Sequence, residues 1–127
     1  MTQKDAVNYW LTSAQHNRKT AQDMFKTGHY DWSLFMWHLV IEKTLKAILS
    51  SKNKTVLPIH DLVRLAEKAD LSLSDSYTDD LAEITTFNLE ARYDDYKFKF
   101  YKKATKKFAS TWAQKTEEIF KWLKQQL

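Results

Sequence analysis

From Tyr30 to Ser51 the chain contains neither Gly nor Pro, and apolar residues recur at Leu34, Trp37, Ile41, Leu45 and Ile48. That spacing marks one face of a helix. Phe35, Met36, Leu39 and Val40 are apolar too and fall on other faces. A helix that is apolar all round has to be covered on several sides, so this stretch predicts a central helix with the remaining segments packed about it. Its second half reads as amphipathic, with Glu42, Lys43 and Lys46 expected to reach water.

The other segments follow the same period. Asp5 to Lys26 predicts a first helix, with Trp10, Ala14, Ala21 and Met24 on its stripe and Asn17 among them. The alanines predict a narrow face that lets a second helix come close. Gly28 stands where a left-handed residue is expected past a helix C-terminus, and so short a connection predicts two antiparallel helices. Ser50 to Leu57 reads as a loop that ends at Pro58. Asp61 to Ala69 predicts a short helix facing inward with Leu62, Leu65, Ala66 and Ala69. Tyr77 to Arg92 predicts a fourth helix whose stripe runs Tyr77, Leu81, Ile84, Asn88, Ala91, Arg92, so two polar residues sit where core is expected. Tyr93 to Tyr101 alternates, a strand signal without a partner strand, and is expected to be an extended connection over the bundle. Lys102 to Gln126 predicts the last helix, with Ala104, Phe108, Trp112, Ile119, Trp122 and Leu123 inward. The fold class is therefore all-α: an antiparallel, up-and-down bundle of four to five helices in one domain spanning residues 1–127.

Composition supports long helices. Gly and Pro occur once each in 127 residues, whereas an all-β chain of this length needs many turns built on them. With no Cys, there is no disulfide framework and no thiolate metal site. The N-terminus lacks the apolar run of a signal peptide, and the densest apolar stretch is too short to span a bilayer. A cytoplasmic location with no membrane attachment is the expectation. Net charge is +4, a mild bias toward an anionic partner. Charge is also segregated. Glu67 to Asp95 holds nine acidic residues and two basic ones, and Tyr96 to Thr116 holds seven lysines and no acid. The two stretches either attract each other as neighbours or offer separate surfaces to a partner.

Three places invite chemistry. In the first, Lys97, Lys99, Lys102, Lys103, Lys106 and Lys107 interleave with Phe98, Phe100, Tyr101 and Phe108. Lysines attract phosphate without regard to sequence, and aromatic rings stack on unpaired bases; the alternative is a solvated face with core aromatics. In the second, Asn88 and Arg92 stand one turn apart on one face, bordering a groove or forming a structural pair in which Arg92 meets Glu42, Asp94 or Glu90. In the third, His16, His29, His38 and His60 are scattered without the spacing of a helical metal site, and His38 reads as a core histidine. No metal site and no cofactor motif emerge. Only one Gly exists, so a Gly-rich phosphate loop is excluded.

His38 to Leu49, with His60-Asp61-Leu62 after Pro58 and Arg92-Tyr93-Asp94 at the end of the fourth helix, resembles the HEPN domain family. Tyr9-Trp10 and the Gly28-Tyr30 connection fit as well. The resemblance runs from about Trp10 to Lys107. It implies an antiparallel helical bundle, commonly a homodimer. Some members are ribonucleases, often toxins of toxin–antitoxin pairs, built on Arg, four to six residues, then His. Here Arg92 is followed at those distances by Lys97, Phe98 and Lys99, and no His lies beyond His60. Lysine is a poor substitute, since its ordinary pKa lies far above 7. Other members are free-standing companions of minimal nucleotidyltransferases. The resemblance therefore implies a non-catalytic module that binds nucleotide or RNA, partners a separate nucleotidyltransferase, or does both. Asn88, Arg92, Tyr93, Lys97 and Lys99 border the expected groove. The alternative is an atypical metal-independent ribonuclease that uses Arg92 with a base drawn from His60 or His38.

Overall fold

In the computed structural model, which describes residues 1–127, the chain forms six helices and no strand: α1 (Gln3–Lys26), α2 (Tyr30–Ser51), α3 (Leu62–Lys68), α4 (Asp75–Glu90), α5 (Lys99–Lys103) and α6 (Lys106–Lys124). Side-chain caps set where the helices start. Thr2 and Asp5 exchange reciprocal hydrogen bonds in a capping box at α1. Asp61, Ser74 and Thr105 each accept the backbone N–H three residues on, at the starts of α3, α4 and α6. Gly28 takes φ +82°, a left-handed value that costs glycine nothing, and turns α1 into α2.

α2 is the centre. α1, α3, α4 and α6 all pack on it. The alanines of α1 do what their size permits: Ala14 and Ala21 are fully buried, and Ser33 Oγ of α2 reaches the Ala21 carbonyl at 2.7 Å. Leu34, Ile41, Leu45 and Ile48 of α2 join Leu62 and Leu65 of α3, Leu81, Ile84 and Phe87 of α4, and Ile119, Phe120 and Leu123 of α6 in one core. Burying a side chain of this kind stabilises by about 1.5–3 kcal/mol. Phe87 meets Trp112 edge-on, with ring centres 5.6 Å apart, and tilts against Phe100 at 5.8 Å.

Neighbours within the chain do not enclose α2 completely. Trp32 is exposed and Phe35, Met36, Leu39 and Lys43 are half-buried. Their spacing of three and four residues puts them on one flank.

Two expectations are corrected. Tyr93 to Tyr101 is not extended: a turn leads into α5, because Phe98 adopts φ +55° and reverses the chain so that Phe100 packs into the core. The alternating pattern reflects one buried ring, not a pleated strand. α6 accordingly starts at Lys106, after a break at Ala104 and Thr105. Secondly, Glu42 and Lys46 do not reach water; they are 4% and 6% exposed, and their carboxylate and ammonium groups pair at 3.1 Å. The segregated charges are neighbours. Lys103 pairs with Glu83 and Lys115 with Asp80, joining the basic segment to α4.

Candidate functional site

The carboxyl end of α4 and the turn after it bring the sequence-predicted residues together. Arg92 lies on the surface. Its Nε donates to the Asn88 carbonyl at 2.9 Å, and its guanidinium lies 5.5 Å from the Phe35 ring centre and 5.1 Å from that of Tyr93. None of the carboxylates proposed for it, Glu42, Asp94 or Glu90, forms an ion pair with it. Both Nη groups remain free of protein partners, and they form the fork that matches a phosphate or carboxylate.

Asp94 organises the turn. Its carboxylate accepts the backbone N–H groups of Asp95, Phe100 and Tyr101 at 2.9–3.0 Å. Desolvation pushes this carboxyl up, but the three N–H donors outweigh it and hold the group below the usual aspartate range. Asp95 accepts from the backbone of Lys97 and Lys99. The adjacent carboxylates thus act on the chain itself, fixing α5 so that Phe98 and Tyr101 stay exposed.

A cleft of about 470 Å³ opens where Arg92 faces Trp32, Phe98 and Tyr101, with His29, Asp31, Ala91 and Asp94 completing it. On the other side of Asp94, Tyr93 and Lys99 border a smaller cleft of about 270 Å³ with Lys103. Asn88 contributes its carbonyl to Arg92 and lies in neither cleft. Lys97 points away, its ammonium 5.6 Å from the Tyr96 ring centre. The five expected residues therefore cluster at one end of the bundle but divide between two clefts. Trp32 and Asp31 are what the sequence reading missed. The signal for them was the tight Gly28 turn, which sets the start of α2 against the end of α4.

A second polar group lies inside the bundle. Glu42 Oε2 takes Lys46, and Oε1 takes His60 Nδ1 at 2.7 Å. His38, fully buried, donates Nε2–H to the His60 carbonyl at 3.1 Å, while its Nδ1 has no partner. Burial pushes the His38 pKa down, against the pull of the hydrogen bond to His60, so His38 is a neutral imidazole at pH 7. His60 differs: Glu42 holds its Nδ1, and the ring is half-exposed. No group of three or more His, Asp or Glu side chains gathers to hold a metal ion, and no helix is long and apolar enough to cross a membrane.

No curated protein matches the chain. Among solved structures, the crystal structure of TT1696 from Thermus thermophilus is similar, with a TM-score of 0.84 at 20% identity over 95% of this chain and 98% of that one; at this identity the likeness speaks for the fold. The family model described as HEPN domain matches residues 7–126, nearly the whole bundle. The chain belongs to the HEPN domain family, which gives it a general nucleotide- or RNA-related role.

Proposed function

We propose that this protein is a non-catalytic HEPN-type binding module whose Arg92 cleft takes a nucleotide or single-stranded RNA. The observation that carries the reading is the unpaired guanidinium of Arg92 set among Trp32, Phe98 and Tyr101. Arginine clamps a phosphate through two parallel hydrogen bonds, and each base stacked on an aromatic ring adds about 1–3 kcal/mol. Tyr93 and Lys99 extend the path into the neighbouring cleft, and Lys97 adds attraction at a distance. Asn88 acts through its carbonyl, which fixes the direction of Arg92.

The proposal includes a homodimer in the cytoplasm. The flank of α2 that carries Phe35, Met36 and Leu39 is the surface that a second copy would cover, and it adjoins Arg92 and Trp32. Light scattering at micromolar concentration should return twice the chain mass; a monomer there removes the dimer from the proposal. The proposal also includes service as a companion subunit of a separate nucleotidyltransferase, with the free Arg92 cleft presenting the nucleotide or RNA. A small nucleotidyltransferase that co-purifies with the chain supports this role. The binding test is fluorescence anisotropy with a labelled single-stranded RNA. Binding that survives Arg92→Ala unchanged would overturn the assignment of the cleft.

One observation favours the ribonuclease as second reading. His60 has its Nδ1 held by a buried carboxylate and its ring exposed, the arrangement of an oriented base. His38 is unsuited, being sealed from any substrate. Cleavage of RNA by purified protein, lost in both Arg92→Ala and His60→Ala, would reverse the ranking.

A further inference from the structure

α1 and α6 both pack on α2, but their backbones stay apart and long side chains bridge them. What lies between them is a groove of about 490 Å³, remote in sequence from the Arg92 cleft and within the size range of small-molecule sites. Trp37 of α2 forms its floor. One wall carries Arg18, Gln22 and Lys26 of α1, and the other Ser110, Gln114 and Glu117 of α6. Arg18 and Glu117 close one end with a two-pronged ion pair, whose Nε–Oε2 distance is 2.7 Å. Lys26 stands at the other end with no ion-pair partner. From Arg18 to Lys26 the helix rises about 12 Å, at roughly 1.5 Å per residue.

Trp37 is also an incompletely satisfied residue, which makes its indole a sensitive reporter of the groove beside it. Trp37 is 3% exposed, yet its indole N–H donates to nothing in the chain. Buried tryptophan N–H groups usually find an acceptor, and an unmet one costs about 1–3 kcal/mol. The groove thus combines two aromatic side chains, Trp37 and Phe25, two amides that both donate and accept, and a free ammonium at one end.

We propose that this groove is a second binding site, distinct from the Arg92 cleft, for a small heteroaromatic molecule with one anionic end. The ring lies against Phe25 and the edge of Trp37 that lines the groove. Gln22 and Gln114 pair with the ring edge, and the anionic end meets Lys26. The Arg18–Glu117 pair is internally neutral and limits the length.

The test follows the Trp37 indole signal in the proton–nitrogen spectrum of the whole chain, titrated with adenosine 5′-monophosphate in one arm and indole-3-carboxylate in the other. Trp37→Phe identifies the signal by its loss. Saturable movement with either probe at submillimolar concentration is expected, and the arm that responds tells a nucleotide from a simple aromatic acid. Gln114 is exposed, so Gln114→Leu leaves the fold intact and should weaken binding about fivefold, the value of roughly one hydrogen bond. Arg92→Ala should leave this binding unchanged. The proposal fails if neither probe moves the signal at millimolar concentration. It also fails if Gln114→Leu binds as tightly as the parent, or if Arg92→Ala abolishes the response.

Discussion

The interior of α2 and the turn after α4 hold their charges in opposite ways. Glu42 and Lys46 read on the chain as the wet side of an amphipathic helix, yet they are nearly sealed and answer each other. Arg92 reads as a side chain that must find a carboxylate, yet it lies in the open with its fork free. The reason is what each region packs against. α3 and the His60 connection cover the second half of α2, so its charges must be satisfied internally. Past α4 the chain turns on Asp94 and Asp95, whose carboxylates are spent on backbone N–H groups. No carboxylate forms an ion pair with Arg92. Charge in one region serves the fold, and in the other it is left available to a ligand.

The sharpest way to break this contrast is to remove one partner inside. Glu42→Ala strands Lys46 and should cost about 3–5 kcal/mol in urea unfolding, whereas Glu42→Leu combined with Lys46→Met should recover most of the loss. If the single substitution costs no more than a surface change, the interior pair has been misread. The outside counterpart is Arg92→Ala. It should leave stability within about 0.5 kcal/mol while weakening binding of labelled single-stranded RNA about tenfold, the loss of roughly one charge-assisted hydrogen bond.

Acid separates the regions further. Burial lowers the pKa of His38 in the folded state, so the unfolded chain binds its proton more readily. Stability contributed by keeping this ring neutral is present above the ordinary histidine value of about 6.5 and is lost as pH falls below it. Thermal melts should therefore decline below about pH 6.5, and His38→Leu should flatten that part of the profile; an unaltered profile would sink the assignment. The smallest effect belongs to Lys97. Lys97→Ala should lower RNA affinity about twofold and reduce the salt slope of binding by less than the roughly 0.7 of a direct phosphate contact to a single strand.

Much of the bundle was legible because periodicity and caps agreed. The stripe of α3 is buried as read, and Gly28 turns where it was expected to. Phe87 was overlooked: it lies off the stripe read for α4, yet α5 and α6 close over it. The segment after Arg92 misled because Tyr96 to Phe100 alternate in character while the backbone bends back, and side-chain character alone carries no dihedral angle. The candidate site was half legible. Arg92-Tyr93 and the aromatic lysine run stood out in the sequence, but Trp32 comes from the start of another helix, and only the folded turn at Gly28 brings it near.

Phe98 keeps a left-handed backbone although it has a bulky side chain, a geometry that disfavours L-residues by roughly 1–2 kcal/mol. The molecule tolerates that tension at one spot, and the ring so displayed forms part of the rim beside Arg92. Glycine there would relax the backbone and erase the ring in a single stroke. Any lineage that trades Phe98 for an easier residue thus gives up grip for durability.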